Sequence, residues 1–227
     1  VQIDARTELQ PTELTETGLR QLKKMMGDLN LRVGSVILPT RRGLTHPDRL
    51  EERCHAIESG MRMASRLGAR LLLTNLGPIP PKGTPMRSAA DGVVTQISTV
   101  GQKLGVRAAL QTAASPDELA LLLDEWPEAT IGVDLNPAEL ILHDRLPLSF
   151  VEQVGRHVLH VHAVDAVREI GIDGGDEVEL GRGSANMPEL LGALEQHGYQ
   201  GWATVARTNA NDPIEAAADA IQFMRSV

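Results

Sequence analysis

Short runs of β-branched and other apolar residues alternate along the whole chain with longer amphipathic segments. The short runs have the length of strands, and the longer segments have the apolar period of helices. Strands are predicted at residues 1–5, 32–38, 69–75, 105–112, 130–136, 158–165 and 201–207. Helices are predicted at residues 11–29, 47–67, 89–104, 115–125, 187–197 and 213–227, and a further helix begins at 149–154. This alternation predicts a parallel sheet with right-handed crossovers.

The strand count favours a (β/α)8 TIM barrel that forms one domain over residues 1–227. A barrel of this class has eight strand–helix units in about 250 residues. The chain supplies seven such units and begins directly in a strand, so we expect that the first β/α unit is absent from this chain. An open doubly wound sheet is the alternative, although no glycine-rich dinucleotide loop follows the first strand.

Polar side chains that alternate with the apolar set of a strand are predicted to point into the barrel. In the later strands these inward positions are Gln111, Asp134, Asn136, His160, His162, Thr204 and Ala206. Active sites of such barrels lie at the carboxyl ends of the strands. The inward positions at or near an end are Gln111, Asn136, His162 and Ala206. A site is therefore predicted at these four positions.

The composition narrows the range of ligands. The formal net charge of −8 opposes a nucleic-acid partner, since phosphate backbones bind basic surfaces. The chain has neither an apolar stretch that would span a membrane nor a signal segment. Its single cysteine, Cys54, cannot form an internal disulfide, and we expect a cytoplasmic protein. Aromatic residues are scarce at 2%, which weakens a sugar site built by ring stacking.

Several short segments of the sequence follow one another in a characteristic order along the chain. The second half contains LGVRAALQT, IGVDLNPAEL, HVLHVHAVDA, VELGRGSANMPELLGAL and HGYQGWATVAR, and the first half contains VQIDAR, LTETGLRQL and ASRLGARLLLTNLG. In order and spacing they resemble the xylose isomerase-like barrels, a family of sugar and sugar-phosphate isomerases and epimerases. The resemblance covers nearly the whole chain and implies the TIM-barrel fold and a small sugar or sugar phosphate as ligand.

The resemblance also implies a metal site, most of which this sequence lacks. In the family two glutamates, an aspartate and a histidine hold one divalent ion, and the glutamates move a proton between neighbouring carbons. The chain keeps only His162, and the carboxylate positions are Gln111, Asn136 and Ala206. Amide oxygens bind hard cations weakly and do not accept a proton at neutral pH. We therefore expect no metal cofactor or, if the site functions, a Mn, Mg, Co or Zn ion.

His162 and Glu139 are the candidate catalytic residues. Glu139 follows Asn136 by three residues, in a predicted turn, and would replace a lost carboxylate. His162 would act as a lone metal ligand or an acid–base group, and the alternative is a structural histidine inside the barrel. Asp134 lies one layer deeper, so it is predicted to be a structural partner of His160 or Arg107.

Four polar residues are candidates for substrate binding: Gln111, Asn136, Arg41 and Arg182. Arg41 follows the strand at residues 32–38 and would bind an anionic group, with a solvated loop as the alternative. Arg182 lies in a Gly-Arg-Gly turn before a predicted helix. Helix starts of this kind bind phosphate, and a simple turn is the alternative.

Two functions follow from these residues. The first is a sugar isomerase/epimerase-like protein with impaired or lost metal chemistry, either a pseudoenzyme or a small-molecule binder. The second is an active sugar or sugar-phosphate isomerase/epimerase that uses His162 and Glu139 with amide ligands. An endonuclease-like relative is a weaker third, since it needs several zinc ligands. The expected partner is a small sugar or sugar phosphate, without nucleic acid or membrane, and the sequence does not decide between a monomer and a homo-oligomer.

Overall fold

A computed structural model describes residues 1–126, 130–168 and 174–227. The chain divides into two compact units. The first unit contains Val1–Gln111 and Leu122–Gly132, and the second contains Thr112–Leu121 and Val133–Val227. This division does not test the single domain predicted over residues 1–227, which stays a prediction.

The first unit has a parallel sheet with a helix after each of its first three strands. The strands pair in chain order and are β1 (Gln2–Asp4), β2 (Ser35–Ile37), β3 (Leu71–Asn75) and β4 (Arg107–Gln111). The helices are α1 (Glu16–Asp28), α2 (Leu50–Leu67) and α3 (Pro85–Leu104). The centre of this unit's core is apolar and fully buried: Val36, Ile57, Met61, Leu72 and Ile97.

Two of these helices end at a glycine, which fixes where the next strand begins. Gly68 after α2 and Gly105 after α3 have φ angles of 85° and 67°, in the left-handed region. Glycine is the usual residue there because it has no Cβ to clash. At the other end of α3, the Thr84 side chain accepts a hydrogen bond from the Arg87 N–H at 3.2 Å. Short-range chemistry therefore sets both ends of α3.

The second unit is built around a buried parallel strand. Along the chain, α4 (Pro116–Asp124) and β5 (Ile131–Leu135) cross the division between the units, and the remaining elements are α5 (Pro137–Leu142), α6 (Pro147–Val154), β6 (Val158–Ala163), β7 (Asp165–Arg168), β8 (Gly175–Val178), α7 (Met187–Gln196), β9 (Trp202–Val205) and α8 (Pro213–Met224). β6 is buried over its whole length and pairs in parallel with β5 and with β9. Val151, Val154 and Leu194 pack in the core of this unit.

All seven predicted strands and all seven predicted helices are present, with ends shifted by a few residues. Three features were not predicted, and the first is a short 3-10 helix at Gly155–His157. Helix α5 forms where a turn was expected, and β7 and β8 form an antiparallel pair outside the parallel sheet. None of the described helices has the length and apolar character that crossing a membrane requires.

Candidate functional site

Two adjacent strands of the second unit bring Asp134, His160 and His162 together. Side chains alternate along β6, so His160 and His162 point to the same face of the sheet. On β5, Asp134 pairs in register with His160. One ligand atom from each of the three side chains lies within 4.8 Å of the others. We call these residues the buried cluster, since their exposed fractions are 1%, 0% and 5%.

His160 is fixed by hydrogen bonds at both ring nitrogens. Its Nδ1 lies 2.7 Å from Asp134 Oδ1, and its Nε2 lies 2.8 Å from Thr204 Oγ1. An ionised carboxylate only accepts hydrogen bonds, so Nδ1 is the donor to Asp134. In the neutral ring Nε2 then accepts from the Thr204 hydroxyl. This chain of bonds holds His160 in one orientation and makes it the structural partner predicted for Asp134.

His162 is held less completely than His160. Its Nδ1 lies 3.1 Å from Asp134 Oδ1, but the geometry falls short of a hydrogen bond. His162 Nδ1 and Asp134 Oδ2 are consequently buried polar atoms without a partner among the described residues. The His162 ring meets the His160 ring edge-on, with centroids 4.8 Å apart. Unpartnered buried polar atoms are uncommon, and they leave binding capacity inside the cluster.

The carboxyl group of Asp134 is kept in its charged form by the two histidines. Burial by itself raises the pKa of this group, because a charge is poorly solvated in the interior. The charge of His162 and the hydrogen bond from His160 oppose burial, and the net pKa lies below its usual value. Burial and the nearby Asp134 charge also raise the pKa of Tyr199, whose hydroxyl donates to Trp202 O at 2.7 Å. The raised pKa favours the neutral Tyr199 hydroxyl, which is the form that donates this hydrogen bond.

Asn136 and Glu139, two of the predicted site residues, lie at the start of α5. The Asn136 side-chain oxygen accepts a hydrogen bond from the Glu139 N–H at 3.1 Å, so Asn136 caps the helix. The Glu139 carboxylate lies 3.6 Å from Nδ1 of His143, one turn further along the helix. Within the described chain, the group of ligand-capable side chains around His162 contains Asp134 and His160 and does not include Glu139.

Gln111 and Arg41, two other predicted site residues, lie in the first unit. Gln111 ends β4 opposite Asn75, and its carbonyl oxygen accepts from the Leu76 N–H at 3.0 Å. Arg41 lies in the loop after β2, where it lines a cavity of about 800 Å³. Both residues are therefore at or beyond the carboxyl end of a parallel strand, as predicted from the pattern of the sequence.

A second cavity, of about 820 Å³, lies in the second unit at the carboxyl ends of β6 and β9. Ala163 and Val205, the last residues of these strands, line it together with Ala206 and Arg182. Arg182 is exposed, and its Nε lies 2.7 Å from Glu179 Oε2. Ligands of α/β proteins bind outside the carboxyl ends of parallel strands, so this cavity has the location of a binding site.

Asp165 uses its carboxylate to hold the Gly-Arg-Gly turn. Its Oδ2 accepts from the Gly181 N–H at 3.1 Å and the Gly183 N–H at 2.8 Å. Its Oδ1 accepts from the Ala166 and Ala185 N–H groups, both at 2.9 Å. The amide groups that the sequence pattern offered to a phosphate therefore bind a carboxylate of the same chain. A Cβ on Gly183 would lie 2.2 Å from Asp165 Oδ1, so this close approach requires glycine.

Asp134 was absent from the predicted site residues, although it is the centre of the buried cluster. The signal was present in the sequence, because strand alternation places Asp134 and His160 on the inward face. What the sequence did not show is the register of β5 against β6. That register shifts between Val133 and Asp134, which sets Asp134 opposite His160.

The whole chain matches one known protein family. The sequence pattern of the family described as xylose isomerase-like TIM barrel matches residues 1–227. The chain belongs to this family. No protein of curated function matches the sequence. Family membership confirms the predicted fold class and excludes the open doubly wound sheet.

Solved structures show the same fold. A xylose isomerase domain protein from Planctomyces limnophilus is 22% identical, with a TM-score of 0.87 over 100% of this chain and 86% of the other. A xylose isomerase-like TIM barrel protein from Mycobacterium smegmatis, in complex with magnesium, is 13% identical, with a TM-score of 0.79 over 99% and 82%. A D-allulose 3-epimerase from Methylomonas sp., in complex with D-allulose, is 15% identical, with a TM-score of 0.73 over 96% and 83%. At these identities the likeness shows the fold alone.

Two of the positions at which the family resemblance implies metal ligands are poor donors for a divalent ion in this structure. Ala206 has no donor atom, and the Asn136 oxygen already accepts from a backbone N–H. His162 alone keeps the residue type that such a metal site uses. The buried cluster is a different donor set, with two imidazoles and one carboxylate. Among the described residues, the buried cluster is the group whose metal-ligating atoms lie close together. These atoms do not determine which metal ion would bind.

Proposed function

We propose that this chain binds a small sugar or sugar phosphate, and that the metal-dependent proton transfer of its family is impaired or lost. The observation that carries the proposal is the donor set at the family's ligand positions. Gln111, Asn136 and Ala206 replace carboxylates there, and His162 is the remaining ligand.

The missing carboxylates matter for two separate reasons. A divalent ion such as Mg²⁺ or Mn²⁺ prefers anionic oxygen ligands, and amides or an alanine methyl supply none. Proton transfer between neighbouring carbons also requires a base with a lone pair, placed beside the carbon. A glutamine or asparagine amide cannot serve as that base at neutral pH. The replacements therefore weaken ion binding and proton transfer together.

His162 by itself would not restore the chemistry. A proton on a carbon next to a carbonyl is removed readily only when the developing oxyanion is stabilised, which is the contribution of the metal ion in such sites. The nearest described acid, Asp134, is already bonded to His160. We therefore propose a binding role for His162, whose Nδ1 lacks a partner among the described residues.

Binding of a sugar is supported by the cavity at the ends of β6 and β9. Its volume of about 820 Å³ lies within the usual range for small-molecule sites, about 300–1,000 Å³. Its lining combines apolar residues with polar and charged ones, among them Arg182, Arg207 and Asn209. The solved neighbour from Methylomonas binds D-allulose in a barrel of the same fold, which supports a sugar as the ligand class.

The proposal is tested by measuring metal binding through thermal stability. Chelator-treated protein is melted with and without saturating Mn²⁺, Mg²⁺, Co²⁺ or Zn²⁺. We expect no specific rise in Tm for the natural sequence. We expect a rise of roughly 5–10 °C for the double variant Asn136→Asp/Ala206→Glu, because binding at about a hundredfold excess over Kd adds about 2.7 kcal/mol. Aspartate caps helices as well as asparagine does, so the first change preserves the start of α5.

The matched control is the double variant Gln196→Glu/Ala218→Glu, which adds the same charges at exposed positions. It should behave like the natural sequence with every metal. A specific metal-induced rise in Tm for the natural sequence, together with deuterium uptake into a sugar in D2O, would contradict the proposed loss of chemistry. Equal responses of the two double variants would show that His162 is not at a family metal position.

A second candidate function is an active isomerase/epimerase that uses His162 and Glu139 with amide ligands. The observation that favours it is the buried cluster, in which Asp134 Oδ2 and His162 Nδ1 lack partners among the described residues. The observation that opposes it is the 2.7 Å contact of His160 Nδ1 with Asp134 Oδ1. Two ligand atoms on one tetrahedral zinc ion would lie about 3.3 Å apart. Metal binding through these two atoms would therefore require this hydrogen bond to break.

A further inference from the structure

The cavity of the first unit is surrounded by guanidinium groups. It has a volume of about 800 Å³ and lies where β1 and β2 end and α2 begins. Five arginines line it, and we call this set the arginine pocket: Arg6, Arg41, Arg42, Arg49 and Arg53. The acidic residues in the same lining are Asp48 and Glu52. Positive charge therefore exceeds negative charge in a cavity of a protein whose formal net charge is −8.

The two carboxylates are already paired with two of the arginines. Arg42 forms an ion pair with Asp48, and Arg49 forms one with Glu52. These pairs account for all the negative charge in the lining. The positive charge of the remaining three arginines has no acidic partner in the cavity.

Those three arginines differ in how their side chains are held. Arg6 Nη1 donates to the Pro39 carbonyl at 2.8 Å, and Arg53 Nη1 donates to the His46 carbonyl at 2.7 Å. Both side chains are thus fixed by neutral acceptors and keep donors to spare, because a guanidinium has five N–H groups. Arg41 makes no hydrogen bond or ion pair with any described residue.

The backbone around Arg41 is anchored although its side chain is free within the described part of the chain. The Thr40 N–H donates to Asn75 Oδ1 at 3.1 Å, and the Thr40 hydroxyl is buried without a partner among the described residues. Arg41 therefore extends from a fixed point at the end of β2. The backbone of Arg41 is anchored and its guanidinium has no partner among the described residues. Its N–H groups are therefore available to bind an anion.

The geometry points to a phosphate monoester as the ligand of the arginine pocket, with Arg41 as its principal contact and Arg6 and Arg53 beside it. A guanidinium binds two oxygens of a phosphate at once, and a dianion balances more of the surplus charge than a carboxylate does. The volume also accommodates a small molecule attached to the phosphate. That this molecule is a sugar rests on the proposed function, whereas the phosphate site depends on the arginine pocket alone.

Binding is measured by calorimetry with inorganic phosphate at constant ionic strength. We expect saturable binding to the natural protein and a Kd about tenfold higher for Arg41→Ala, the loss typical of one charge-assisted hydrogen bond. Arg41→Lys keeps the charge without the planar fork, so its Kd should fall between the two. The matched control is Arg20→Ala on the exposed side of α1, outside the cavity, which should bind like the natural protein.

The Tm of Arg41→Ala should equal that of the natural protein, because Arg41 has no partner to lose among the described residues. Absence of phosphate binding, or equal Kd values for Arg41→Ala and Arg20→Ala, would overturn the site. The phosphate site and the proposed sugar ligand are distinguished by comparing the binding of phenyl phosphate, fructose 6-phosphate and fructose. Equal binding of both esters would support the phosphate site and count against a sugar ligand there. Tighter binding of fructose 6-phosphate than of phenyl phosphate would support both.

Discussion

The Asp134 carboxylate lies fully buried between two imidazole rings, and its charge depends on both of them. Removing the partners of a buried ion lowers the free energy of unfolding, and so does removing the ion from its buried partners. The cluster is therefore a place where one substitution has a large effect on folding.

The Asp134→Asn variant should be less stable than the natural protein at pH 7, by about 3 kcal/mol. The pKa of Asp134 is lower in the folded state than in the unfolded state. Its charge therefore contributes stability that is fully present above the unfolded pKa of about 3.9 and is lost as the pH falls through the folded pKa. The stability gap between variant and natural protein should accordingly narrow in strong acid.

Urea unfolding at a series of pH values from neutral to strongly acidic measures this gap. The control is Asp28→Asn at the exposed end of α1, which should change stability little at any pH. A gap that stays constant across the series would show that the introduced amide is harmful for its shape or hydrogen bonding and not for the missing charge.

The sequence pattern predicts part of this site, and the rest depends on contacts that no local pattern specifies. Strand alternation placed Asp134, His160 and His162 inside, because period-2 patterns are reliable where one face is apolar. It did not show that Asn136 caps α5, since the same Asn-Pro-Ala-Glu segment is compatible with a turn and with a helix start. Nor did it show that Asp165 accepts hydrogen bonds from four backbone N–H groups. Three of these groups belong to residues 181–185, which are distant from Asp165 in the sequence.

At the scale of elements, β9 and α8 differ from the rest of the second unit in burial. β6 is buried at every position, whereas Trp202 at the start of β9 is 58% exposed. Helix α8 has no buried residue, and its Ile214 is 84% exposed. Local stability follows the apolar area that an element buries, so these two elements should open most readily.

Hydrogen exchange measured by mass spectrometry should show this difference. Peptides from β9 and α8 should lose amide protection at least tenfold faster than peptides from β6, a gap of about 1.4 kcal/mol or more in opening free energy. Helix α7 is the matched comparison for α8, because it has a similar length and buries Met187, Leu190 and Leu194. Equal protection of α7 and α8 would mean that α8 is stabilised by something other than burial.

The seven parallel strands could be predicted because each combines a β-branched or leucine-rich run with a following amphipathic helix. The pair β7 and β8 gave no such signal. Its strands have the sequences DAVR and GDEV, which are polar and short, and they pair with each other instead of joining the parallel sheet. Helix α5 has six residues, fewer than two turns, and a segment so short has no measurable apolar period.

At the scale of the whole molecule, the fold follows from the sequence far more directly than the function does. Backbone and core positions along the whole chain specify a family barrel, whereas a few side chains at strand ends decide whether it performs chemistry. In this chain the proposed positions of those side chains are Gln111, Asn136, His162 and Ala206, and none of the four is an acid. The expected cytoplasmic location stays a prediction.

Net charge separates the ligands that this molecule accepts from those it repels. The chain has 30 acidic and 22 basic side chains, so an extended polyanion that reaches beyond the arginine pocket meets a protein of net negative charge. At physiological ionic strength screening acts over about 8 Å, and a compact phosphate inside the pocket therefore senses mainly the nearby guanidinium groups. A small phosphate ester and a nucleic acid should then behave oppositely, although both present phosphate oxygens.

We expect that a fluorescently labelled DNA duplex shows no saturable binding at physiological salt, in a preparation that binds inorganic phosphate. Affinity for duplex DNA comes largely from the release of counterions by several basic contacts in a row, and one isolated pocket supplies too few. Fluorescence anisotropy over a salt series is the measurement, with Arg41→Ala as a second sample. Saturable binding that weakens steeply with salt would favour an endonuclease-like relative. The Arg41→Ala substitution removes one cation from the arginine pocket. A loss of DNA binding in that variant would therefore show that the DNA contacts the arginine pocket.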